Sequence, residues 1–229
     1  MREKILLLAM ILLFGTSSFA QSPVQEVGDE KEPELRAELV RLVIEDQNIR
    51  GEYDKYRKAR GLFSIDDKTL NEKLNNDPEL KKEFLAIIRR MQESDEHGLL
   101  RMKEIIAKYG WPGKSLVGTE AAASAWLIVQ HSDRDVVFQR LALEAMKKLP
   151  PCEVENTHLA YLTDRVLLNE GKKQLYGTML RKENGKFVPK PTEDEANVDK
   201  RRADLGLQPL AEYIRRQSRA LLPKQTNSQ

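Results

Sequence analysis

The feature that most constrains the fold is a helix that is apolar on every side. The stretch from Gly118 to Met146 reads GTEAAASAWLIVQHSDRDVVFQRLALEAM, and the residues after Thr119 point apolar side chains in nearly every direction. A helix without a polar face is normally buried among other elements. Thr119 is placed to cap this helix. We therefore expect the rest of the chain to pack around this stretch.

A short polar break separates this helix from a second, amphipathic one. The break carries His131, Asp133 and Asp135. One interpretation is structural: His131 lies at the end of its own helix, where the dipole favours a cation, and Ser132 or Asp133 caps the next helix. The other interpretation is that these side chains form a site. Capping does not explain Gln139, which follows among apolar residues on the second helix.

The remaining patterns are mostly helical. Pro33 suits a first helical turn, and Asp77-Pro78 is typical of a capped helix start. A pause is predicted near Gly98, and Gly110 is expected to end the helix that follows. From apolar residues at helical spacing we predict helices over residues 33–59, 78–98, 99–109, 120–131, 134–146, 155–169 and 193–203, and from Pro209 onward.

The sequence also predicts one β-hairpin. Asn184-Gly185, a strong hairpin signal, lies between the segments 174–181 and 186–190. An isolated hairpin is marginally stable, so the helices are expected to support it. The predicted fold class is mainly α, a single helical domain with one small β-hairpin at about 174–190. Its divisions are a signal peptide (1–20), a loose leader (21–32), an N-terminal helical region (33–98), a helical core with the hairpin (99–221) and a disordered tail (222–229).

The first twenty residues have the pattern of a signal peptide. Arg2 and Lys4 precede the apolar run ILLLAMILLFG, and small residues lead to Ala20, after which we predict cleavage. The run is too short to span a bilayer comfortably. The sequence therefore predicts a periplasmic or secreted protein, with no transmembrane anchor once the signal is removed.

The net charge argues against one class of partner, and the cysteine content argues against an internal disulfide. The chain has a net charge of +2, and loss of Arg2, Glu3 and Lys4 with the signal lowers it by one. A nearly neutral exported protein is not expected to bind nucleic acid. Cys152 is the only cysteine, so no internal disulfide is possible. It follows two prolines, and we interpret it as an incidental loop residue.

The predicted helix over 155–169 carries further polar residues. His158, Arg165 and Asn169 share one side of it, whereas Asp164 points elsewhere. An Arg beside a His at the border of a core suits an anion such as phosphate or carboxylate. The alternative is that Arg165 pairs with a nearby acidic side chain.

Three ordered motifs carry a resemblance to a known family. They read WPGKSLVGTEAAASAWLIVQHSDRDVVFQ, HLAYLTDRVLLNEGKKQLYGT and PTEDEANVDKRRADLGLQPLAEY. Together they resemble a bacterial family of unknown function, domain of unknown function six-six-two-four, over roughly residues 100–213. The resemblance implies a shared domain and no assigned activity. Met179 stands where relatives have Gln. The family pattern marks His131, Asp133, Asp135, Gln139, His158, Asp164, Arg165, Gln174, Tyr176, Asp194, Asp199 and Arg202.

Two functions from different classes fit these observations. The first is a non-catalytic exported module that binds an unknown small molecule, a peptide or a component of the cell envelope. The alternative is a hydrolase, with or without a divalent metal, at a His/Asp site around His131 and His158. The sequence leaves open whether the protein is an enzyme. Convergence on one cleft would favour an enzyme or a small-ligand site, and dispersal would favour the module; the residues in question are His131, His158, Arg165, Gln174 and Tyr176.

Each hypothesis uses its own set of candidate residues. The hypothesis for a catalytic site uses His131, Asp135, His158, Asp164 and Arg165. Gln139, Gln174 and Tyr176 are the candidate ligand-binding residues. The hypothesis for a metal site uses His131, Asp133 and His158, because nitrogen and oxygen ligands suit ions such as zinc or manganese.

Overall fold

A computed structural model describes residues 31–63, 65–183 and 186–220 of the chain. The predicted signal peptide with its cleavage after Ala20, nearly all of the predicted leader and the tail 222–229 lie outside the described residues. The turn residues Asn184 and Gly185 also lie outside them. The fold over the described residues is mainly α with one antiparallel hairpin, as the sequence predicted.

The helices follow one another through most of the chain. They are α1 (Pro33–Ala59), α2 (Asp67–Asn76), α3 (Pro78–Tyr109), α4 (Lys114–His131), α5 (Val136–Lys147), α6 (Asn156–Asn169), α7 (Val198–Asp204) and α8 (Leu210–Ala220). The strands are β1 (Leu180–Glu183) and β2 (Lys186–Pro189). A single turn of 3₁₀ helix, Glu195–Asn197, leads into α7, where the sequence predicted one helix over 193–203.

Helix α4 is the centre of the main core. It packs against α1, α3, α5 and α6, and Ala121, Ala125 and Val129 on it are fully buried. Its all-round apolar character is thereby explained, because neighbours cover it from several sides. A kink at Gly118, with φ of 80°, separates the first turn from the rest of the helix, close to the predicted start.

A second, smaller core lies at the other end of α1 and α3. Tyr53 packs against Phe84 with ring centroids 5.9 Å apart, and Leu70 and Leu74 of α2 cover them. The buried Arg57 donates to the carbonyl oxygen of Leu62 at 2.7 and 3.2 Å. The predicted cap at Asp77 is confirmed, since its carboxylate accepts from Leu80 N–H at 2.9 Å.

The predicted helix pause near Gly98 is wrong. Helix α3 runs without interruption from Pro78 to Tyr109, and Gly98 is buried inside it. A Cβ atom on Gly98 would lie 2.7 Å from Cγ2 of Ile128. The residue therefore marks the close crossing of α3 and α4, which a helical wheel of α3 alone does not reveal.

The hairpin is shorter than predicted. Strands β1 and β2 pair in antiparallel register, with Arg181 opposite Val188, but residues 174–179 form a loop rather than a strand. There the side-chain amide of Gln174 makes hydrogen bonds to backbone groups, as the backbone of a neighbouring strand would do. It donates to the carbonyl oxygens of Met179 and Lys190 at 3.0 and 2.9 Å and accepts from Met179 N–H at 2.9 Å.

Within the described ranges, no helix combines the length and the apolar character that crossing a bilayer requires.

The crossing at Gly98 predicts opposite effects of one substitution at two helical glycines. Gly98→Ala is expected to destabilise the protein by about 1–3 kcal/mol, because the added methyl group overpacks the contact with Ile128. Gly51→Ala in α1 is the matched control, since a Cβ there meets nothing within 4 Å. It is expected to stabilise by about 0.5–1 kcal/mol. Denaturant unfolding measures both, and a Gly98→Ala protein as stable as the control variant would contradict the close crossing.

Candidate functional site

Several of the candidate polar residues lie at or near the C-terminal end of α4. Because α4 is buried, its last turn places Gln130, His131 and Ser132 in the interior. Buried polar groups require hydrogen-bond partners. Ser132 donates from its hydroxyl to the carbonyl oxygen of Ile128 at 3.1 Å. The other polar residues reach side chains on other helices, in two different directions.

In the first direction lies a network that links α4 to α5 and α6. Arg165 donates to Oε1 of Gln130 at 2.6 Å and forms an ion pair with Asp133. Asn169 donates to Asp133 at 2.9 Å and to Oε1 of Gln139 at 3.0 Å. Gln139 in turn donates to the carbonyl oxygen of Val129 at 3.0 Å, a group at the helix end.

This network provides hydrogen-bond partners for side chains that the sequence analysis proposed as site residues. Burial opposes ionisation of Asp133, but Arg165, Asn169 and Gln139 hold the pKa of its carboxyl below the usual value. Arg165 therefore pairs with an acidic side chain, which was one of the two predicted alternatives. The amide of Gln139 closes the end of α4.

The predicted cap of the next helix requires correction. Asp135, rather than Ser132 or Asp133, caps α5, and its Oδ1 accepts from Phe138 N–H at 2.9 Å. Asp135 also lies 2.7 Å from Nζ of Lys103. Ser132 instead donates to the carbonyl oxygen of Ile128, and Asp133 pairs with Arg165.

In the second direction His131 faces α1 and α3. Its Nδ1 lies 3.0 Å from Oδ2 of Asp46. Arg50 donates to Oδ1 of Asp46 at 2.8 Å and forms an ion pair with Asp95. One ligand atom from each of Asp46, Asp95 and His131 falls within 4.8 Å of the others. We call these three residues the α1–α3–α4 cluster.

The α1–α3–α4 cluster lines a small, partly open pocket with a cavity volume of about 10 Å³, which is room for one water molecule or one ion. Glu45, Ser94 and His97 contribute to its walls. The pocket thus collects acidic and imidazole side chains from three helices. Asp46, Asp95 and His131 are the described residues that are arranged to hold a metal ion.

The electrostatics of the cluster are set by burial. Burial raises the pKa of Asp95 to about 7; Arg50 opposes this, and the carboxylates of Asp46 and Asp133 add to it. Burial lowers the pKa of His131, and Asp46 only partly offsets that effect, so its ring is neutral at pH 7. Asp46 is buried too, but its contacts with Arg50 and Gln47 help to keep the pKa of its carboxyl below the usual value.

Sequence reasoning missed Asp46 and Asp95. They lie on α1 and α3, far from His131 in the chain, so no local motif connects them. One signal was available for Asp46: it continues the buried stripe of α1, the residues Leu35, Leu39 and Leu42. A carboxylate at a core position is unusual. Nothing comparable marks Asp95.

His158 lies in a different place from His131. Its ring stacks on Trp126, with centroids 4.0 Å apart and an interplanar angle of 10°. Trp126 also donates from Nε1 to the carbonyl oxygen of His158 at 3.0 Å. Lys114 and Glu155 line a shallow pocket beside this stack. Burial lowers the pKa of His158 to about 4.

Asp164 organises the loop before the hairpin. It is fully buried, and its carboxylate accepts from the backbone N–H groups of Leu175, Tyr176 and Thr178 at 2.7–2.9 Å and from the Thr178 hydroxyl at 2.9 Å. Arg202 donates to the carbonyl oxygen of Tyr176. Together with the amide clamp of Gln174, these contacts build the fold of residues 174–179.

The predicted site residues therefore fall into separate groups. His131 joins the α1–α3–α4 cluster, whereas Asp133, Gln139 and Arg165 belong to the network with α6. Asp164, Gln174 and Tyr176 form the loop, and His158 stacks on Trp126. The predicted metal set of His131, Asp133 and His158 is not assembled, since Asp133 is held by Arg165 and His158 faces Trp126.

Comparison with known proteins gives one match. The sequence model of a family described as Family of unknown function (DUF6624) matches residues 72–223, a longer span than the motifs indicated. No curated protein and no solved structure matches the chain. The match includes α3 to α8 and so contains His131 and Asp95, whereas Asp46 on α1 precedes it.

The burial of His158 predicts an acid-sensitive contribution to stability. The folded state holds its ring neutral down to about pH 4, while the unfolded chain takes up a proton below about pH 6.5. The free energy of unfolding therefore falls between pH 6.5 and 4, by on the order of 3 kcal/mol from this residue. His158→Phe keeps a ring against Trp126 and should flatten that fall in urea unfolding. His97→Phe, at an exposed position, is the control, and an unchanged slope in His158→Phe would contradict the assignment.

Proposed function

We propose that the chain, which belongs to the family of unknown function DUF6624, is an exported helical module that binds its ligand without catalysing a reaction. The proposed ligand site is the pocket of the α1–α3–α4 cluster. The observation that carries the proposal is the dispersal of the candidate catalytic residues over separate parts of the fold.

The contacts of these residues support a structural role for most of them. A general base needs an open path to the proton it removes, and an anion-binding Arg needs donors that face the ligand. Arg165 instead directs Nε to Gln130 and a terminal nitrogen to Asp133. The carboxylate of Asp164 accepts hydrogen bonds from three backbone N–H groups. Side chains held in this way position helices and loops.

The charge of the pocket favours a cationic ligand. Two carboxylates, Asp46 and Asp95, lie close together there, and Glu45 contributes a third. Buried like charges repel, and a cation relieves that repulsion. Arg50 already provides one positive charge, and its contacts show that both carboxylates accept a cationic partner.

The first twenty residues support the proposed export. The charged start, short apolar run and small residues before Gln21 are typical of a cleaved signal. A periplasmic or secreted location gives the module access to small molecules, peptides or components of the envelope.

A hydrolase is the second candidate function. It is favoured by one observation, the neutral imidazole of His131 beside the carboxylate of Asp46 in a pocket. This pair has the residue types of a general base and its orienting acid. In this second reading the pocket, rather than Arg165 or His158, holds the reacting group.

A single preparation tests export and the absence of catalysis. The full chain is expressed in a Gram-negative host and recovered from the periplasm, where its intact mass is expected to begin at Gln21. The protein is then assayed with ester, phosphoester, peptide and glycoside substrates, with and without added Mn²⁺ or Zn²⁺. We expect no turnover above that of His131→Ala, because the dispersed residues do not form a reaction centre.

Two results would overturn the proposal. A full-length protein confined to the cytoplasm would contradict export. Turnover that disappears in His131→Ala, with the helical circular dichroism spectrum preserved, would make the hydrolase the function. Asp135→Asn is the control variant, since Asp135 caps α5 outside the pocket.

A further inference from the structure

We infer that Asp46, Asp95 and His131 bind one divalent transition-metal ion of the Mn²⁺ or Zn²⁺ type. The inference rests on the proposed function in one respect: it takes the same pocket as the ligand site and names the ligand. It does not depend on whether the module is catalytic.

The first support is the buried nitrogen of His131. The side chain is 9% exposed, and among the described residues its Nδ1 makes no hydrogen bond. The approach to Oδ2 of Asp46 at 3.0 Å lacks hydrogen-bond geometry. Two neighbouring ligands of one ion, with bonds of about 2.1 Å, lie about 3 Å apart in octahedral and about 3.4 Å apart in tetrahedral coordination. The pair is therefore spaced as two ligands of a shared metal.

The second support is the set of ligand types. Imidazole with carboxylate oxygens suits zinc and manganese. The ligand atoms lie within 4.8 Å of one another, and two ligands with bonds of about 2.1 Å lie at most about 4.2 Å apart, so binding would draw the side chains slightly together. Three protein ligands leave further coordination positions for water or a bound molecule.

The third support is the rigid placement of the ligands. Asp46 lies on α1, Asp95 on α3 and His131 on α4. These helices pack directly on one another. The side chains thus converge from three fixed directions, a preorganised arrangement that reduces the cost of assembling the site on binding.

Arg50 is the internal competitor of the metal. Its guanidinium contacts Oδ1 of Asp46 and Oδ1 of Asp95. Oδ2 of Asp46 faces His131 and also accepts from Gln47 at 2.7 Å. No hydrogen bond from the described residues reaches Oδ2 of Asp95. The metal therefore gains full access to the carboxylates when Arg50 withdraws, and removal of Arg50 should strengthen metal binding.

The test is a Mn²⁺ titration followed by electron paramagnetic resonance, in which free Mn²⁺ gives the signal and bound Mn²⁺ does not. The protein is purified without added metal, dialysed against chelator and then buffer. We expect one equivalent to bind, and excess Zn²⁺ to release it. Asp95→Asn keeps the shape of the side chain and the acceptor for Arg50, and it should weaken binding by about tenfold or more.

Two further variants make the result specific. Arg50→Met should tighten Mn²⁺ binding severalfold, a gain that loss of structure does not produce. Asp135→Asn changes a half-buried aspartate that pairs with Lys103 outside the pocket, and it should leave the affinity unchanged. Absence of a stoichiometric site in the wild type would overturn the inference, as would binding that is equally strong in Asp95→Asn.

The outcomes separate this inference from the proposed function. Metal binding without His131-dependent turnover supports both. Metal binding with such turnover keeps the inference and replaces the module by the hydrolase. Absence of metal binding removes the inference, while the non-catalytic module then requires a metal-free ligand in the same pocket.

Discussion

The burial of α4 is the constraint on which the rest of the structure depends. A helix with apolar side chains in all directions is stable only when other elements surround it, and α1, α3, α5 and α6 do so. Its end is then buried as well. The last residues of α4 are polar, so the surrounding helices have to supply partners for the side chains of Gln130 and His131 or leave them unsatisfied at a large cost.

The surrounding helices meet this demand in two ways. On the side of α6 the charges are paired, because Arg165 connects Oε1 of Gln130 with the carboxylate of Asp133; among the described residues only Nε2 of Gln130 lacks a hydrogen bond there. On the side of α1 and α3 the carboxylates outnumber the cations, and a buried nitrogen of His131 makes no hydrogen bond among the described residues. A network with paired charges holds the helices in place, whereas an excess of carboxylates beside an imidazole at a pocket is typical of a functional site.

Much of the fold was predictable from local sequence. The apolar helix α4, the Asp77-Pro78 start and the hairpin signal depend on short-range physics, namely burial of apolar stripes, capping and turn geometry. The pause at Gly98 was wrong because the glycine serves a contact with Ile128, on another helix. Helix α1 was predicted from its apolar stripe. The contact of Asp46 with His131 was not predictable from that stripe, because it depends on which helix packs against α1.

The candidate site was predictable only in part, for the same reason. His131 was found because it stands in a polar break after an apolar helix, but Asp46 and Asp95 come from distant segments. The predicted partners of His131 were Asp133 and His158, which are close in sequence or share its residue type. Helix packing instead turns Asp133 toward Arg165 and places His158 on Trp126. Sequence spacing describes one helix at a time, whereas a site between helices depends on their packing.

The Arg165–Asp133 network is proposed to be structural and the α1–α3–α4 cluster functional. The most direct test of this difference is the free energy of unfolding of Asp95→Asn and Asp133→Asn at neutral pH. Burial raises the pKa of Asp95, so its charged form destabilises the folded state above that pKa, and its replacement should leave stability equal to or above the wild type. Arg165 and its neighbours lower the pKa of Asp133, so its charge stabilises the folded state at neutral pH. Asp133→Asn should therefore lose about 3 kcal/mol. An Asp95→Asn protein destabilised as much as Asp133→Asn would contradict the account, because both aspartates would then be structural.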